Sequence, residues 1–182
     1  MASPSPEVVI DPIDVELRDG RRVTVRAIGA TDADKLQEAI GGLSVESSYK
    51  RFFSPMRRLS AQLLERATHP EPGREIQLVA VVGEGSDESI IAGTRYVALA
   101  AGEDCEFAIA ILDGWHGFGL ARRMLEILIA HARAEGFARM EGYVLATNAA
   151  MLGLAKRLGF RESASDEGPT VRMVRLDLRV AS

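Results

Sequence analysis

One stretch of this chain constrains its fold more than any other: Phe107-Ala-Ile-Ala-Ile-Leu-Asp-Gly-Trp-His-Gly-Phe-Gly-Leu-Ala-Arg-Arg-Met-Leu125. An apolar β run enters a glycine-punctuated turn, and the turn opens directly into a helical pattern. Such a turn presents consecutive backbone N–H groups at the positive end of a helix dipole, a geometry that binds phosphate. Gly117 and Gly119 carry no Cβ, so an anion can approach the backbone closely. Ala121 is small for the same reason, and Arg122 and Arg123 add positive charge just inside the helix. The spacing excludes two better-known phosphate loops. No Gly-Lys pair supplies a P-loop, and Gly117-x-Gly119 continues to Arg122 where a dinucleotide fingerprint needs Gly or Ala.

The surrounding chain reads as one domain over residues 13–182, with a loose lead over 1–12 marked by Pro4, Pro6 and Pro12. Arg22–Ile28 alternates as a strand. Thr31 is read as the N-cap of a helix running to Gly41-Gly42. A second helix is expected from Ser44 to Phe53, stopped by Pro55, and Ser60 caps a third through Ala67. Three strand-like runs follow, Ile76–Val82, Ile90–Leu99 and Cys105–Leu112, with short turn-rich links that predict an antiparallel meander. The pattern then gives a helix over Gly119–Ala134, a strand over Arg139–Leu145, a helix over Asn148–Leu158 and a last strand over Val171–Val180. The expected class is α/β (α+β), a mixed sheet flanked by helices.

Composition removes several function classes. The net charge is −4, with 22 Lys and Arg against 26 Asp and Glu, which argues against a nucleic-acid partner. The basic segment Lys50-Arg51…Arg57-Arg58 is short and reads as a solvated helix edge around a buried Phe52–Phe53 pair. One cysteine excludes a disulfide within the monomer, and the three histidines have no metal-ligand spacing, so no metal is expected. No apolar run spans a membrane and the first residues do not form a secretory signal; the expectation is a cytoplasmic monomer or homodimer with no membrane partner.

Two motifs together carry a family resemblance. Trp115-His-Gly-Phe-Gly-Leu-Ala-Arg122 resembles the pyrophosphate loop of the GNAT N-acetyltransferases, and Asn148-Ala-Ala-Met-Leu-Gly-Leu-Ala-Lys-Arg-Leu-Gly-Phe160 resembles their downstream helix. Ser48–Ser60, Arg74–Ala80 and Cys105-Glu-Phe-Ala108 are similar to the acetyltransferase domain of bacterial Pat-type protein-lysine acetyltransferases. The resemblance implies the GNAT fold and acetyl-CoA as cosubstrate. It also implies Glu106 as general base. Ile109, Ala110 and Ile111 would bind the pantetheine arm, and His116, Gly117, Phe118, Gly119, Leu120, Ala121 and Arg122 the pyrophosphate, with Asn148 near the cofactor. His116 stands where the family usually has Gln or Arg, and is either a phosphate donor or a plain loop histidine. Ala155 stands where many relatives place a tyrosine acid, so the proton donor to the leaving thiolate is unassigned.

The residues add their own argument. On Asp104–Leu112, Asp104, Glu106, Ala108 and Ala110 share one face, while Cys105, Phe107, Ile109 and Ile111 share the other. A lysine ammonium must lose a proton before it attacks a carbonyl, and a carboxylate on the small-residue face can take it. Cys105 lies on the apolar face and reads as a structural thiol, which favours direct transfer in a ternary complex over a covalent acyl-enzyme. The expected acceptor is a protein lysine. A small-molecule amine, and a noncatalytic acyl-CoA-binding module, are the alternatives.

Overall fold

The computed structural model describes residues 10–54 and 56–179; most of the expected N-terminal lead, and Pro55, lie outside the described residues. The strands are β1 (Ile13–Glu16), β2 (Arg22–Ala27), β3 (Glu75–Val82), β4 (Ser89–Ala98), β5 (Asp104–Ile111), β6 (Arg139–Leu145), β7 (Arg161–Ala164) and β8 (Val171–Asp177). The helices are α1 (Ala33–Gly41), α2 (Val45–Phe52), α3 (Ala61–Thr68), α4 (Leu120–Ala134) and α5 (Ala149–Arg157). The strands form one sheet in the order β1-β2-β3-β4-β5-β6-β8-β7. Every neighbouring pair is antiparallel except β5 and β6, which run parallel. The expected meander is therefore present as β3-β4-β5.

Two apolar layers cover the sheet. On α4, Leu120, Met124, Leu125, Leu128, Ile129 and Ala132 are buried at helical spacing. They pack with Cys105 and Phe107 of β5 and with Leu154 and Ala155 of α5. On the opposite face, Leu36 and Ile40 of α1 meet Val79, Val81 and Ile90, with Phe52, Leu59 and Leu64 packed around them. Phe52 thus belongs to a core, but Phe53 is exposed and takes a left-handed backbone (φ 54°), so the expected buried pair is a single residue. Thr31 does not cap α1. Its N-cap is Asp32, whose carboxylate instead accepts the Gly29 amide (2.7 Å) and pairs with Arg26 (2.7 Å).

The feature that makes a site is a parting of strands. β5 keeps its β4 partner along its length, from Cys105↔Ala98 to Ile111↔Ala92. It pairs with β6 only over Asp104↔Arg139, Cys105↔Met140 and Glu106↔Glu141. Beyond Glu106 the strands diverge, while β6 continues against β8 to Leu145↔Val171. Phe107 sits at the fork. Its ring lies against Gly142 of β6, where a Cβ would collide with it, and packs at a 57° tilt on Phe160, with ring centroids 5.3 Å apart. A glycine inside a strand here marks a close approach rather than a turn.

Candidate active site

The parted edge of β5 leaves backbone groups without a strand partner. Peptide directions alternate along a strand. The Leu112 amide donates to Ile91 O (3.0 Å) and Ala108 O accepts from Thr94 Oγ1 (3.0 Å), both on the β4 side. The amides and carbonyls of Ile109 and Ile111 therefore face the cleft. The amide of Ala110 faces β4, so this residue lines the cleft only through its small side chain. This separates the three strand residues expected at the cofactor into two backbone contributors and one spacer.

At the end of β5, a short 3-10 turn over Asp113–Trp115 leads to Gly117 (φ 83°) and Gly119 (φ 93°), both left-handed. Gly119 is the N-cap of α4, and no side chain caps that end. The amides from Gly117 to Arg122 have no partner among the described residues. Loop carbonyls are turned the other way, into the β1–β2 hairpin. Arg18 donates from its side chain to Gly117 O (2.9 Å) and from its amide to Phe118 O (3.1 Å), and Arg21 reaches Gly114 O at 3.3 Å. Donors are thus left for an anion while acceptors are occupied. Ser47 Oγ donates to Asp113 (2.5 Å), and this bond holds the carboxyl below the usual range while it ties α2 to the turn.

His116 has an internal partner. Its Nε2 lies 2.7 Å from Ile111 O. A carbonyl only accepts, so Nε2 carries the proton and the ring pins the loop to the strand end. Asn148 is an N-cap, its Oδ1 accepting the Met151 amide (3.2 Å), and it also borders the cleft. The cleft has a volume of about 900 Å³; Ile109, Gly117, Gly119, Arg123 and Arg157 are among its walls. Tyr143 of β6 is a cleft residue that sequence reasoning missed. By register it shares the sheet face of Glu141 and Glu106, and burial, then those carboxylates, raise its pKa, so it stays a proton donor at neutral pH.

Glu106 stands at the fork, the last β5 residue paired with β6. It is half-buried, just beyond the cleft wall, and no described side chain hydrogen-bonds it. Burial raises its pKa, and buried Glu141 adds to the rise; Arg95 and Arg51 act against it. Glu141 is itself paired with Arg175 (2.9 Å). Cys105 is fully buried, and burial pushes its thiol up to about 12, which leaves no nucleophilic thiolate at neutral pH.

A strand that parts from its parallel neighbour, beside a glycine turn with outward amides, is a cleft with backbone donors for an extended ligand and an anion. Residues 22–161 match the family model for the GNAT acetyltransferase domain. The chain belongs to the GNAT acetyltransferases. It is 30% identical over 162 residues to Acetyltransferase PA5475 of Pseudomonas aeruginosa, covering 89% of this chain and 87% of that protein. It also resembles the GNAT domain of S. lividans PAT, at 32% identity and a TM-score of 0.83, covering 91% of this chain and 96% of that one. The fold is shared with yncA of Salmonella typhimurium, solved with acetyl-CoA, at 19% identity and a TM-score of 0.69, covering 88% and 96% of the two chains. As a GNAT enzyme the chain is an acyltransferase with acetyl-CoA as cosubstrate. No described helix is long and apolar enough to cross a membrane.

Proposed function

We propose that this acetyltransferase acts on a primary amine by direct transfer in a ternary complex, with Glu106 as general base and a protein lysine as the acceptor. The observation that carries the mechanism is the position of Glu106 at the fork: it is the last β5 residue paired with β6, and it shares the small-residue face of β5 with Ala108 and Ala110, which border the cleft. Acetyl-CoA supplies the thioester: the amine nitrogen bonds its carbonyl carbon, the C–S bond breaks, and CoA leaves with its sulfur. The amides from Gly117 to Arg122 hold the diphosphate, and Arg157 and Arg123 offer charge to the remaining phosphate. Glu106 takes the ammonium proton. Its raised pKa makes it a stronger base than an exposed glutamate. Tyr143, a cleft residue, gives its phenol proton to the departing sulfur, and the second proton that nitrogen loses as the amide forms restores the phenol. The buried, protonated Cys105 supports direct transfer. Similarity to the GNAT domain of S. lividans PAT, with the sequence resemblance to Pat-type enzymes, supports a lysine acceptor.

The test is Glu106→Gln. Turnover of a lysine peptide falls by about 10²–10⁴-fold while the CoA dissociation constant holds. In the native protein, kcat/KM is lost as pH falls through a pKa above the ordinary glutamate range, because the active form is the carboxylate. The Gln variant lacks that acid limb. Unchanged turnover, or an unchanged limb, removes Glu106 from the mechanism.

A further inference from the structure

A second cavity of about 310 Å³ opens on the other side of β5, between the sheet and α1–α3. Arg51, Ala108 and Ala110 border both cavities, so only one strand of small side chains and one guanidinium separate the cofactor cleft from this space. Leu36, Ile40, Phe52 and Leu59 make its walls apolar. Arg51 of α2 and Arg95 of β4 stand out against that lining. Arg95 is paired in register with Ala108, two residues from Glu106 on the same face.

Among the arginines around the site, these two share with Arg157 the lack of any hydrogen bond or ion pair among the described residues, and of the three only they line the second cavity. Arg18 and Arg21 are fixed to loop carbonyls, and Arg175 to Glu141. Arg51 and Arg95 donate no hydrogen bond and form no ion pair among the described residues. Arg51 is half-buried, with its guanidinium 4.6 Å above the Phe52 ring. The charges that act on it are Arg95, which opposes it, and Glu106, which does not reach ion-pair distance. Half-burying a cation beside a second cation without a counterion is unfavourable. A bidentate anion across the pair removes that cost.

Resting on the reading that an amine is acetylated beside Glu106, we propose that Arg51 and Arg95 form an anion subsite for the acceptor, whose reactive amine lies close to a carboxylate. The two guanidiniums clamp the carboxylate, the amine turns to Glu106, and an apolar chain enters the 310 Å³ cavity. The carboxylate is either that of a free apolar amino acid or the side chain of an acidic residue beside a target lysine.

The experiment compares two matched pairs on the full chain. One is leucine against leucinamide; the other is a lysine peptide with a neighbouring Glu against the same peptide with Gln. The expected result is a kcat/KM at least about tenfold higher for the carboxylate member of one pair, expressed in KM. The pair that shows it identifies the source. In Arg95→Gln the ratio collapses to within about threefold, and Arg51→Gln gives the same collapse. A binding measurement runs independently of turnover: with CoA present, calorimetry gives heat for N-acetyl-leucine or for the Glu peptide, weakened at least about tenfold in Arg95→Gln. Equal rates within both pairs, or binding indifferent to Arg95→Gln, overturns the subsite. Absence of transfer to every amine overturns the proposed acceptor chemistry instead, and calorimetry still decides the subsite.

Discussion

The two cavities that meet across Ala108 and Ala110 are made of different material. The cofactor cleft is largely backbone: strand amides at Ile109 and Ile111, then loop and helix amides from Gly117 to Arg122, all within one contiguous stretch. The space on the far side is made of side chains from α1, α2, α3 and β4, which lie far apart in sequence. Peptide dipoles are the same whatever the residue, so a cavity built this way is suited to a constant ligand held through chain conformation. The second recognises whatever its side chains complement. The cleft should therefore tolerate side-chain truncation and fail on changes to backbone conformation, and the second cavity, if it takes the acceptor as proposed, should do the reverse.

The largest expected effect tests the backbone half directly. Gly119 holds φ 93°, and an added Cβ would also stand 3.7 Å from Arg18 Nε. A β-branched side chain is strained in that conformation by roughly 1–2 kcal/mol or more, and relief of the strain turns the first amides of α4 away from the anion. Gly119→Val is expected to weaken CoA binding at least about tenfold by calorimetry. Arg122→Ala, which removes a side chain already engaged with Glu126 (2.9 Å), changes it less than threefold by the same argument for exposed pairs. If Arg122→Ala proves the more damaging, the cleft is not backbone-built.

Next comes the fork. Gly142 leaves room for the Phe107 ring, and Phe107 leans on Phe160. Gly142→Ala forces overlap with the ring and is expected to cost about 1–3 kcal/mol of folding stability. In a chain of this length that is a fall in Tm of about 2–4 °C per kcal/mol. Phe107→Leu in the same background frees part of that space and recovers some of the loss. Absence of a Tm change in Gly142→Ala would mean that β5 and β6 are not held apart by this contact.

The same contrast explains what the sequence disclosed. The backbone half is local, so its signals lie side by side: the strand β5, the glycine turn, α4, and the Asn148 cap were all readable from spacing and residue type. β1 and β7 were not. Ile13–Glu16 alternates apolar and polar but is only four residues long, and Arg161–Ala164 is exposed at every position and has no apolar stripe; pairing with β2 and β8 makes them strands. Missing β1 concealed Arg18 and Arg21, which brace the loop from 93 to 99 residues away. Tyr143 could be placed only by knowing that Glu141 stands opposite Glu106 in a parallel register. The Arg51–Arg95 pair needs a helix brought over a strand. His116 read as a phosphate ligand or a bystander because nothing in its spacing points back to the Ile111 carbonyl.

The smallest expected effect sharpens the comparison, because it asks how far side chains support the backbone-built cleft. Arg21 lies 3.9 Å over the Trp115 ring and 4.8 Å over Phe118, and reaches Gly114 O; Arg18 holds Gly117 O. Neither guanidinium needs to touch the ligand for its loss to matter. Each turns loop carbonyls outward, and without them those carbonyls can swing toward the diphosphate and repel it. The contacts are exposed, each worth about 0.5–1 kcal/mol. Arg18→Ala and Arg21→Ala should each weaken CoA binding by about two- to fivefold. Because both restrain one loop, the double variant should lose less than the product of the single losses. A brace shows the same relative loss for CoA and for dephospho-CoA, which lacks the ribose phosphate but keeps the diphosphate. A loss confined to CoA would make one of these arginines a direct phosphate ligand, and the cleft would then owe part of its recognition to side chains after all.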